Sequence, residues 1–170
     1  MKKVILLFLV LTSLQLSAQK TLQLTEKFTV SGDINKALNF TLKDLEKLPS
    51  KKIEDVKITN HKGHPRGTAK QLTGVLVKDV LKDLDLKADS PKIFSEFYLS
   101  FIAIDGYKVI YSWNEIFNSP TGDHLYIITA RDDKKLRSMN DRILVLTPSD
   151  FKTGRRHIKG LSEIVVSRAD

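Results

Sequence analysis

Two runs of apolar-rich sequence, Phe97–Ile104 and Tyr107–Ser112, meet at Asp105-Gly106. An Asp-Gly pair between such runs predicts a β-hairpin, because it supplies the positive φ angles of a tight two-residue turn. A hairpin commits this part of the chain to antiparallel pairing. Other segments extend the pattern: Leu22, Leu24, Phe28 and Val30 alternate over Thr21–Val30, and Ser31-Gly32-Asp33 ends that strand with turn chemistry. Glu54–Thr59, His124–Ala130, Ile143–Thr147 and Glu163–Ser167 predict further strands.

The predicted helices are short. Thr41 caps Leu42–Leu48, Asp44 occupies the capping-box position, and Pro49 stops the run. Val75–Leu84 has the three- and four-residue apolar spacing of an amphipathic helix, and Trp113–Phe117 reads as one helical turn. Asn60–Gln71, with almost nothing apolar, reads as an exposed loop, and Arg131–Arg142 as a solvated charged connection. Strands mixed with short helices, without regular alternation, exclude a doubly wound parallel sheet. An α+β single domain with mixed or antiparallel sheets is expected.

At 170 residues and 41% hydrophobic content one compact domain is expected, with little room for two independent cores. It has no cysteine, which removes disulfides, thiolate metal ligands, iron–sulfur clusters and thiol nucleophiles together. Met1-Lys2-Lys3, the apolar run Val4–Leu11 and the small residues Ser17 and Ala18 form a signal-peptide pattern over residues 1–18. Eight apolar residues are too few for a spanning helix, which needs about 20. The expected mature domain, residues 19–170, is exported to the periplasm or the medium without stable membrane insertion. Removing the signal takes away two lysines and no acid, lowering the formal charge from +8 to +6. A basic exported domain points away from nucleic acid, toward an anionic small molecule or another exported protein as partner.

Five segments, in order, resemble the molybdopterin-binding domain of sulfite-oxidase-type oxidoreductases. They are Phe40–Leu45 before a Leu-Pro, Thr73–Leu81, Asp105-Gly106-Tyr107, Asp141–Val145 and Arg156–Leu161. The resemblance spans roughly residues 28–167 and implies an α+β fold with mixed sheets holding a pterin-bound molybdenum that transfers oxygen atoms. It also implies a cysteine thiolate in the loop after the strand at Val56–Thr59. Here that loop reads Asn60-His61-Lys62-Gly63, so the soft anionic ligand is missing. A reduced or cofactor-free relative is therefore expected, with no catalytic residue nominated.

Two basic clusters remain as candidate binding residues. His61, His64 and Arg66 lie in the loop where the resemblance places the metal, and imidazoles and cations there suit an anion. Arg155, Arg156 and His157 follow Gly154, and guanidinium groups bind phosphate or carboxylate bidentately. The leading expectation is a non-catalytic binding or interaction module with both clusters bordering one cationic cleft. Two alternatives stay open: a molybdopterin-dependent oxidoreductase with a non-cysteine metal ligand, and a zinc or copper module built on His61 and His64, which needs a third ligand.

Overall fold

The computed structural model describes residues 24–169. The predicted export signal lies outside the described residues, as does the start of the predicted strand Thr21–Val30. The chain runs through β1 (Lys27–Gly32), β2 (Leu38–Thr41), α1 (Leu42–Lys47), β3 (Lys51–Ile53), β4 (Val56–Thr59), β5 (Pro65–Ala69) and β6 (Leu72–Leu76). It continues with α2 (Val77–Val80), β7 (Phe97–Ala103), β8 (Lys108–Ser112), α3 (Trp113–Phe117), β9 (Tyr126–Arg131), β10 (Lys134–Lys135), β11 (Leu144–Leu146) and β12 (Leu161–Arg168).

Three layers follow from where alternate side chains go. The first sheet has the order β2-β1-β12-β7-β8, antiparallel except for the parallel pair β1–β12. Its inward residues, among them Phe28, Val30, Leu99, Phe101, Tyr111, Ile164 and Val166, form the larger core. The second sheet has the order β10-β9-β6-β3, with β11 also on β9. Val75, Ile127 and Val145 face the larger core, while Leu72, Ile128, Leu144 and Leu146 face a second one. Val56, Ala69 and Ile58 of the β4–β5 hairpin close that second core, and Lys57 and Thr68, paired across the hairpin, stay exposed.

The α+β expectation holds, and so does α1: Thr41 Oγ1 accepts from Asp44 N, and the Asp44 carboxylate accepts from Thr41 N. Several local expectations are corrected. Asn60–Gln71 is no simple loop, because β5 pairs with β4 and fastens a segment with only Ala69 to bury. Val75 and Leu76 belong to β6, leaving α2 only four residues; a strand buried on both faces reads as a continuous apolar run, easily mistaken for a helix.

The β7–β8 hairpin forms by another turn than expected. Gly106 N donates to Ala103 O and Ala103 N to Tyr107 O, with only Gly106 at positive φ (86°), which is a three-residue loop closed by a glycine bulge. The two-residue turn with both φ positive occurs instead at Asp132-Asp133, between β9 and β10. Arg131–Arg142 is likewise no solvated connection: it buries Leu136 and Met139, and Arg131 pairs with Asp141 at 2.9 Å.

Candidate functional site

The segment between β11 and β12, residues 147–160, carries the second basic cluster and packs against the hairpin that carries the first. The backbone here needs a close approach: a Cβ at Gly154 would stand 2.1 Å from the Thr59 carbonyl oxygen. Buried Thr153 makes the joint, its Oγ1 donating to Lys57 O and accepting from Thr59 N, both at 3.0 Å. Arg155 Nε then donates to His61 O at 2.8 Å, and the Lys152 stem lies along Gly63. On the other flank, Tyr107 Oη donates to Arg155 O at 2.6 Å. The segment thus ties the β4–β5 hairpin to the β7–β8 turn.

Adjacent arginines take opposite roles. Arg155 is exposed, and among the described residues no carboxylate pairs with it. Arg156 turns inward, its Nε donating to Asp150 Oδ2 at 2.8 Å and its Nη1 to Glu115 Oε1 at 2.9 Å, with Nη2 also on Asp150. Its guanidinium lies 4.6 Å from the centre of the Tyr111 ring. Hydrogen bonds to Asp150 push the Arg156 pKa up, against burial, while burial pushes up the Tyr111 phenol, whose Oη meets Thr147 Oγ1. Glu115 also closes the capping box of α3 by accepting from Ser112 N and Oγ, so Arg156 fixes that helix to the segment.

Beside Arg155 opens a cavity of about 700 Å³ bordered by Pro120, His124, Asp150, Phe151, Lys152 and Arg155. Arg156 forms part of its wall, with its charge already matched. A second cavity, about 620 Å³, shares His124, Asp150 and Phe151 and is bordered also by Glu54, Asp55, Lys52 and Lys57. Phe151 stands wholly in solvent between the two.

The remaining candidate residues lie elsewhere. His61, His64 and Arg66 are exposed on the β4–β5 hairpin and line neither cavity. His157 is largely buried with its Nε2 unpartnered; burial, followed by Lys159, pushes its pKa down to about 4, so it is neutral near pH 7. His124 and Lys152, not nominated from sequence, join Arg155 at the cavity. Lys152 could have been found from its place in the same cationic run; His124, in a turn far off in sequence, had no such signal.

A molybdenum–pterin centre is tested by its donor set. Where the family offers a thiolate, Asn60 Oδ1 accepts from Lys62 N at 2.9 Å and His64 N at 3.0 Å, and the neighbouring side chains are imidazoles and cations. These donors do not fit the sulfur ligation of that family. Among the described residues, no group of three or more His, Cys, Asp or Glu side chains is placed to hold a metal ion.

No protein-family model matches the chain, and no curated protein matches it. Among solved structures it is similar to the sulfane dehydrogenase SoxCD from Paracoccus pantotrophus, with a TM-score of 0.62 at 13% identity. The match covers 86% of this chain and 40% of that chain, so this chain spans less than half the length of the protein it resembles. At that identity the likeness establishes the fold alone: a small α+β domain similar in architecture to part of that dehydrogenase.

Proposed function

We propose that the chain is an exported, non-catalytic binding module that captures a small anionic ligand in the cleft beside residues 150–156. The observation that carries this role is the charge balance of the cleft. Among the described residues Asp150 is the one carboxylate lining the cleft and is engaged by Arg156, while Arg155 and Lys152 have no acid partner. A phosphate or carboxylate entering there meets a guanidinium, an ammonium and the His124 imidazole beside the apolar surfaces of Pro120 and Phe151. The missing thiolate supports binding over oxygen-atom transfer.

Calorimetric titration of the purified protein with inorganic phosphate, sulfate and short dicarboxylates tests the role. At least one should bind, and Arg155→Gln and Lys152→Gln should each weaken it on the order of tenfold, the worth of one charge-assisted hydrogen bond. Unchanged affinity in both variants would remove the cleft as the binding site. Stoichiometric molybdenum and pterin in the native purified protein would overturn the non-catalytic role.

A further inference from the structure

Five of the seven arginines are matched to carboxylates: Arg131 to Asp141, Arg137 to Glu46, Arg142 to Glu26, Arg156 to Asp150 and Glu115, and Arg168 to Glu96. Among the described residues only Arg66 and Arg155 lack such a partner, and they sit on adjoining elements. Arg66 is the extra residue at the β4–β5 register shift, between Gly67 and Pro65, and Pro65 pairs with Thr59, whose N–H meets Thr153 two residues before Arg155. No acid occurs between Val56 and Lys70, where Lys57, Lys62, Arg66 and Lys70 are joined by His61 and His64. Lys152 lies over the turn of that hairpin. Glu54 and Asp55, which pair with no cation among the described residues, share the second cavity with Lys52 and Lys57, and Asp105, also without a cationic partner there, accepts from Tyr107 N in the β7–β8 turn.

Apolar surface lies beside these cations. Of five large hydrophobic side chains that are exposed among the described residues, Phe151 is completely so, at 104%. Tyr107, 42% exposed, is hydrogen-bonded to the Arg155 carbonyl, and Ile104, 41% exposed, belongs to the same turn. A small anion in the cleft would account for Lys152 and Arg155, but not for Arg66 or the protruding phenyl ring. A hydrated polyanion would account for the cations, but gives the ring no phase to enter that excludes water. A bilayer with anionic headgroups supplies both, because cations gain at its surface and an aromatic ring gains at the acyl boundary.

We infer that this face docks peripherally on an anionic lipid bilayer, with Phe151 entering the interface and Lys62, Arg66, Lys152 and Arg155 meeting the headgroups. This goes beyond the cleft's small ligand and does not require one. It also requires no spanning segment; among the described residues no helix is long and apolar enough to cross a membrane.

Co-sedimentation with vesicles of phosphatidylcholine alone and of phosphatidylcholine mixed with phosphatidylglycerol reads the docking. The full-length protein should bind the mixed vesicles and lose binding in high salt. Arg66→Gln and Arg155→Gln should each weaken partitioning about fivefold, and Phe151→Ala about tenfold. A Phe151→Trp variant carrying Trp113→Phe should shift its indole emission to the blue on the mixed vesicles only, which reports ring insertion without reference to stability. No preference for the mixed vesicles, or an unshifted indole emission in that double variant, overturns the docking. Binding to heparin that survives Phe151→Ala, without vesicle binding, would assign the face to a polyanionic polymer instead.

Discussion

Arg155 and Arg156 are neighbours in sequence, yet one belongs to the interior of the molecule and the other to its surroundings. Arg156 is clamped by Asp150 and Glu115 over the Tyr111 ring, with its side chain 22% exposed. Arg155 spends one N–H on the His61 carbonyl and presents the rest of its guanidinium to water. The direction follows from what each element can offer. The inward face meets the capping carboxylate of α3 and a buried phenol, whereas the outward face meets the acid-free β4–β5 hairpin. A cation whose partners are complete is structural; one left unmatched beside a cavity is free for a partner from outside.

The largest expected difference between the two is in stability. Arg156→Ala leaves two partly buried carboxylates unpaired and should cost about 3 kcal/mol by urea denaturation. Arg155→Ala removes one exposed hydrogen bond and should cost less than about 1 kcal/mol. Equal losses would erase the distinction between an inner and an outer arginine. The expected reversal in anion binding, with Arg155→Gln damaging and Arg156 variants compared only where folded, would sharpen it.

The sequence pointed to both arginines and could not separate them. A run such as Gly154-Arg155-Arg156-His157 has no period that tells inward from outward, because the segment is neither helix nor strand for more than a few residues. The deciding partners, Glu115 and His61, lie 41 and 94 positions away. Elements whose information is local were legible: the Thr41–Asp44 capping box and the Trp113–Phe117 turn form as read. The Asp105-Gly106 hairpin was legible as a hairpin but not in its turn type. Where long-range pairing decides, local reading failed. β5 is held by β4 despite its polar sequence, and β6 is buried between two cores, so its apolar positions carry no alternation.

His157 gives the next largest effect and separates the inner face from the outer by pH. Its folded pKa, near 4, lies below the ordinary 6.5 because burial opposes the charged ring. The unfolded chain therefore binds the proton more readily between those values, and acidification favours unfolding. Stability should be level near neutrality and fall by about 2 kcal/mol from pH 7 to pH 5, continuing toward the folded pKa. His157→Gln should flatten that slope in a series of denaturation curves. Asp44 and Asp123, held below the usual carboxylate range by Thr41 and Lys78, lose their contributions only in more acidic solution. A slope unchanged in His157→Gln would place the titrating group elsewhere.

Thr153 is the hinge between the faces, and its substitution has a small expected cost but the most selective one. Its hydroxyl is the partner of both Lys57 O and Thr59 N, on the strand edge that carries the outer cations. Thr153→Val keeps the volume and strips both partners, which should cost about 1 kcal/mol. The loss should be local, because the larger core and the Arg156 clamp lie on the other side of the segment. Amide exchange should quicken at Thr59 and along β4–β5, with little change at Ile164 or Val166 in the first sheet. Anion binding should weaken with it, since Arg155 is positioned through the His61 carbonyl of that hairpin. Faster exchange with unaltered anion affinity would show that the hairpin is only a cover over the second core, and that the cleft cations hold their positions without it.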